Sequence, residues 1–147
     1  MGDFPASVLF ACTWNAVRSP MAEGIAKRLF GDRIYVDSVG VRKRELDPFV
    51  IAALAEIGID VGAHVPKTFP ELKDTSFDLI VSLSPEAQHQ AVEMTRTMAC
   101  DVEFWNTLDP SIIEGNREVQ LTAYREVRDL LMKRIRERFP LAPAPVV

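Results

Sequence analysis

An α/β fold of three layers, with four parallel strands in a doubly wound sheet, is what this sequence predicts. Two observations carry the prediction. Four short apolar runs have the length expected of strands buried on both faces. Between them lie stretches whose apolar residues recur at three- and four-residue spacing, as on one face of a helix. Strands alternating with helices in this way build a parallel sheet covered on both sides. The length of 147 residues, at 48% hydrophobic and 26% charged, suffices for one core without disulfide or metal staples.

The first strand is read over 7–12, Ser-Val-Leu-Phe-Ala-Cys, and the others over 34–36, 79–83 and 102–105. A first helix follows from Met21, Ala22, Ile25, Ala26 and Leu29, with Ser19 as its cap and Pro20 in its first turn. The second is expected over 49–57, entered through Pro48 and stopped at Gly58, and the third over 85–94. The fourth is the longest, about 117–139, with Leu121, Tyr124, Val127, Leu131, Ile135 and Phe139 as its apolar stripe. Arg125, Arg128, Arg134 and Arg138 alternate there with Glu126, Asp129 and Glu137, which reads as a solvated, salt-bridged face. Residues 1–140 are expected to form a single domain and 141–147 a loose tail.

Charge and cysteine content narrow the function. A formal net charge of -4 leaves no electrostatic footprint for nucleic acid, although Arg42, Lys43 and Arg44 make one basic spot. No stretch calls for a membrane. Cys12 and Cys100 cannot build a disulfide framework, and the N-terminus lacks the regions of a secretory signal, so a reducing cytoplasm is expected. Myristoylation at Gly2 would want Ser or Thr where Ala6 stands. A monomer or weak homodimer is expected.

In a doubly wound sheet, ligands bind at the carboxyl ends of the strands, which directs attention to the loop after the first strand. There the chain reads Cys12-Thr13-Trp14-Asn15-Ala16-Val17-Arg18-Ser19. A loop of five residues between strand and helix can curl so that successive backbone N–H groups point inward, and the helix N-terminus adds partial positive charge at the same place. The residues 13–19 would thus bind a phosphoryl group. The same field favours the thiolate of a cysteine at its base, and Arg18 offers a planar fork for two phosphate oxygens. Taken alone, Cys12 could equally be a small buried hydrophobe and Ser19 only a helix cap. The strand before and the helix after favour the cradle.

These residues resemble the low-molecular-weight protein tyrosine phosphatases. The segments 8–12, Asn15 and 18–23 look like the signature loop and first helix of that family, and the likeness continues through Asp37-Ser38-Val39-Gly40, Asp47-Pro48, Gly58-Ile59-Asp60, His64 and Asp109-Pro110. The resemblance implies a flavodoxin-like, phosphotyrosine phosphatase I-like sheet, no metal or other cofactor, and hydrolysis in two steps through a phosphocysteine. Cys12, Arg18 and Asp109 would be catalytic, with Asp109 the general acid. Asn15, Ser19, Ser38 and His64 would form a network holding the loop rigid, Ser19 donating toward the thiolate. From the residues alone, Asp109-Pro110 also fits a simple turn, and Ser38 and His64 fit ordinary satisfied polar groups. His89 is expected at the surface.

The chain departs from the family's pattern at Trp14, where Gly is usual, at Val17, where a second cysteine is usual, and at Ser111-Ile112, where aromatic residues often follow the acid. The wall 41–46 is basic where the family's is aromatic. The expected substrate is therefore a phosphorylated protein or a small phosphoester, with the phosphate site intact and the tyrosine-ring site altered. Trp14 either faces the substrate from the rim or lies over apolar neighbours. Two other functions fit the same residues. One is arsenate reduction with an external small thiol, since only Cys100 is available as a second thiol. The other is a catalytically silent module binding an oxyanion or a phosphoprotein.

Overall fold

The computed structural model describes residues 5–73 and 76–139. Its four strands are β1 (Ser7–Cys12), β2 (Tyr35–Gly40), β3 (Leu79–Ser82) and β4 (Asp101–Phe104), all parallel, in the order β2-β1-β3-β4. Its four main helices are α1 (Arg18–Phe30), α2 (Pro48–Ala55), α3 (Pro85–Met94) and α4 (Arg117–Arg138). The expected tail 141–147 lies outside the described residues.

Alternation along β1 divides the core. Val8, Phe10 and Cys12 face a large cluster under α1, α2 and α4, where Ile25, Leu54, Leu131 and Ile135 are buried. Leu9 and Ala11 face a smaller cluster under α3, with Phe77, Ile80, Ala87 and Ala91. The strand is therefore apolar at every position after Ser7 because both of its faces are covered.

Local chemistry sets the helix starts. Asp47 accepts from the Phe49 N–H, Ser84 from that of Ala87 and Asn116 from that of Val119, and Pro48 and Pro85 open their helices where no N–H is needed. Gly58, at φ 77°, turns the chain after α2 in a region that favours glycine.

Three readings need correction. Ser19 does not cap α1: the helix already begins at Arg18, Val17 holds the capping position without a side-chain bond, and Ser19 turns inward toward Cys12. β2 runs on to Gly40, because residues 37–40 continue the ladder opposite 9–12. On α4, Arg128 is buried, donating to the Ala53 carbonyl and to Glu56. The arginine ladder also pairs largely off the helix, with Arg125 on Glu56 and Arg138 on Glu103. Asp129, which pairs with Arg128, keeps its expected role.

Candidate active site

The sheet order reverses direction between β1 and β3, so the crevice at their carboxyl ends holds the loop that follows Cys12. Cys12 lies at its floor, 2% exposed. The loop carbonyls are spent on neighbours: Cys12 O accepts from Val41 N, Thr13 O from Arg42 N and Ala16 O from Asp47 N. The backbone N–H groups of residues 13–18, by contrast, donate to no other described residue. Ala16 and Val17 bury their side chains in the core, so their contribution to the cradle is backbone alone.

One residue in the loop takes a left-handed backbone, and it is Asn15 at φ 53°, not Trp14. Gly40 makes the turn possible. A Cβ there would stand 2.6 Å from Asn15 N and 2.7 Å from Trp14 C, so the loop backbone rests directly on the end of β2.

The buried network orders its own protons. Asn15 Oδ1 accepts the backbone N–H of Lys67 at 2.9 Å, and since that N–H can only donate, the amide orientation is fixed. Asn15 Nδ2 then donates to Ser19 Oγ at 2.8 Å and to Ser38 Oγ at 2.9 Å. Ser19 Oγ, having accepted, is left to donate, and Cys12 Sγ lies 2.9 Å away, nearer than the Val39 carbonyl at 3.3 Å. The Ser19 backbone N–H reaches the same sulfur at 3.4 Å. His64 Nε2, 3.1 Å from the Asn15 Oδ1 acceptor, must carry a proton. Burial pushes the His64 pKa below its ordinary value, while Glu23 pulls it the other way.

Glu23 is the residue that the sequence reading passed over. It is 8% exposed, accepts from Ser38 Oγ, stands 3.6 Å from His64 Nδ1 and pairs with Lys27 at its outer edge. The signal was present: Ser19 and Glu23 are four apart on one helix, hence on one face. All four expected network residues, Asn15, Ser19, Ser38 and His64, meet here.

Arg18 is buried at 8% exposure. Its Nη1 donates to the Thr107 carbonyl at 3.0 Å, and its Nη2 lies 3.4 Å from Thr13 Oγ1 and 3.9 Å from Asp109 Oδ2. Asp109 thus reaches the buried Arg18 from the loop after β4. The rim is cationic. Trp14 packs partly on the core, with the Arg42 guanidinium 4.8 Å and that of Arg44 5.3 Å from its ring centroid. Arg42 also pairs with Glu86 and Lys43 with Glu71. His89 is exposed.

Cys100 sits at the opposite edge of the sheet. The register places Val8, Leu79 and Asp101 side by side, so Cys100 is level with Ser7. Cys12 is then about 16 Å farther along the strands at about 3.3 Å per residue, and two strands across. A disulfide needs Cα atoms within about 7 Å.

A thiol with two donors aimed at it, a ring of unspent N–H groups, a buried guanidinium and a carboxylate at the mouth can bind a tetrahedral oxyanion and attack its centre. The arsenate reductase of Halalkalibacterium halodurans is 33% identical over 131 residues, 88% of this chain and 91% of that protein. A solved arsenate reductase in its phosphate-binding state superposes with a TM-score of 0.72 at 26% identity, over 90% of this chain and 95% of the other. A low molecular weight protein tyrosine phosphatase from T. tengcongensis superposes with a TM-score of 0.73 at 25% identity, again over 90% and 95%. A family model matches residues 7–139, and by that match the chain belongs to the low molecular weight phosphotyrosine protein phosphatase family.

Proposed function

We propose that this protein is a cysteine-dependent phosphatase that hydrolyses phosphate monoesters, of phosphorylated proteins or small molecules, through a phosphocysteine. What carries the reading is the placement of Asp109 Oδ2 3.9 Å from Arg18, at the mouth of a cradle whose edge of the sheet holds no second thiol. A phosphatase needs the acid and no relay.

Two steps follow. Phosphate enters the N–H ring, and Arg18 exchanges Thr107 O for two phosphoryl oxygens. The Cys12 thiolate forms the S–P bond as the P–O bond breaks, and the proton on Asp109 goes to the leaving oxygen. Asp109, now a carboxylate, takes a proton from water as that water's oxygen attacks phosphorus. The S–P bond breaks and the thiolate returns to its two Ser19 donors.

Arsenate reduction is the second reading, favoured by the names of relatives near 30–33% identity. With Cys100 out of reach it requires a small external thiol. No described helix is long and apolar enough to cross a membrane, and the reading places the enzyme in the cytoplasm, as a monomer or weak homodimer. The test sets release of p-nitrophenol and of phosphate from phosphotyrosine, phosphoserine and phosphothreonine peptides beside arsenate-dependent oxidation of glutathione. Turnover of phosphoester, lost in Cys12→Ser, is expected. Thiol oxidation by arsenate without phosphoester turnover would replace the first reading with the second.

A further inference from the structure

We propose that Ser111 and Arg44 are positioning residues for the Asp109 carboxylate, tying it through Trp14 to the cradle; this rests on the phosphatase reading above. Asp109 Oδ1 receives two donors, the Ser111 backbone N–H at 2.9 Å and the Ser111 hydroxyl at 2.7 Å. An oxygen so occupied is a poor place for a proton, which would meet two others. The acidic proton is thereby assigned to Oδ2, the oxygen that faces Arg18 at 3.9 Å and the cradle beyond it.

With its O–H directed at Asp109, the Ser111 oxygen can still accept, and Arg44 Nη2 donates to it at 3.2 Å. A cation on the accepting side polarises the hydroxyl and strengthens its bond to the carboxylate. The same guanidinium lies 5.3 Å from the centroid of Trp14, a residue of the cradle loop itself. A connected path therefore runs from cradle to acid: Trp14, Arg44, Ser111, Asp109. Each of the first three stands where the sequence leaves the family's pattern, at the loop glycine, the aromatic wall and the aromatic residue after Asp-Pro. What reads in sequence as the loss of a ring site is in the fold one device that holds the acid.

The backbone contact from Ser111 N–H would survive any side chain at that position, so the device consists of the hydroxyl and the arginine. The experiment compares kcat/KM for phenyl phosphate, whose leaving group needs a proton, with that for p-nitrophenyl phosphate, whose leaving group needs little. Ser111→Ala is expected to slow the first about three- to tenfold, the worth of one hydrogen bond, and the second by less than about twofold. Ser111→Thr, which restores a hydroxyl, is expected to recover the difference. Arg44→Met should act in the same direction and add little to Ser111→Ala, because it works through that hydroxyl. Arg44 is exposed, so its variant is expected to fold even where a Ser111 variant does not. Equal losses on both esters, or no rescue by threonine, or additive effects in the double variant, would overturn the proposal while leaving the phosphatase intact. A wild-type enzyme inert toward both esters would overturn the phosphatase reading and this one with it.

Discussion

Ser19 Oγ and Cys12 Sγ stand 2.9 Å apart, and toward a thiolate, which can only accept, the hydroxyl is the donor. In the phosphatase proposed above, the hydroxyl would serve the sulfur as nucleophile and again as leaving group when the phosphocysteine breaks down. Ser19→Ala is expected to slow turnover about 10- to 100-fold, the range for a hydrogen bond to a charged group at about 1.5–3 kcal/mol. It should also slow alkylation of Cys12 by iodoacetamide at neutral pH. Unchanged alkylation together with unchanged turnover would mean that the contact does not stabilise the thiolate.

Much of this site was legible in the sequence, for a physical reason. A strand end, a loop of five residues and a helix start are contiguous, so residues 12–19 carry their own geometry. Asp47, Ser84 and Asn116 likewise cap helices through local bonds. What sequence did not give depends on contacts between distant segments. Glu23 becomes part of the site only because β2 brings Ser38 and a later loop brings His64 against α1. Arg128 looks like its exposed neighbours on α4 until α2 packs over it and offers the Ala53 carbonyl. Ser111 and Arg44 are 67 residues apart in the chain and bond through their side chains.

Oxidation should act on Cys12 with no thiol beside it to trap the product. Val17 has no sulfur, and Cys100 lies at the far edge of the sheet, where burial pushes its thiol pKa up and makes the thiolate scarcer. A sulfenic acid on Cys12 is thus expected to pass on to the sulfinic acid under peroxide, with activity not restored by dithiothreitol. Cys100→Ala should inactivate at the same rate as wild type. Full recovery with dithiothreitol in both proteins, with no sulfenamide by mass spectrometry, would contradict this.

Acid stability should report the clamp between α2 and α4. Hydrogen bonds from Arg125 and Arg128 hold Glu56 well below its ordinary 4.5, at about 2. A depressed carboxylate contributes stability that is present above its unfolded pKa and lost as pH falls through the folded value. The contribution of Glu56 is therefore full at neutral pH and fades between about 4.5 and about 2. Glu56→Gln should show a lower urea midpoint than wild type at pH 7, with the gap closing toward pH 3. A gap of constant size across that range would show that the charge of Glu56 contributes nothing.

Gly40 is the position where fold and function meet most closely. It pairs with Cys12 across β1 and β2, and its N–H donates to the Lys67 carbonyl at 2.8 Å, so the strand end cannot move freely. A Cβ would meet Arg42 O at 2.3 Å, Asn15 N at 2.6 Å and Trp14 C at 2.7 Å, all backbone atoms, none able to swing aside as a side chain could. One of three things must then give: the turn at Arg42, the sheet register or the cradle loop. The cradle loop is the one with unspent N–H groups and a left-handed residue, so the strain is expected there. Gly40→Ala should accordingly weaken inhibition by phosphate and lower kcat/KM about 100-fold, the scale for an ångström of misplacement in a catalytic group. Stability should fall by about 1–3 kcal/mol, as for overpacking. A variant with wild-type phosphate inhibition and turnover would show that the loop does not rest on this glycine.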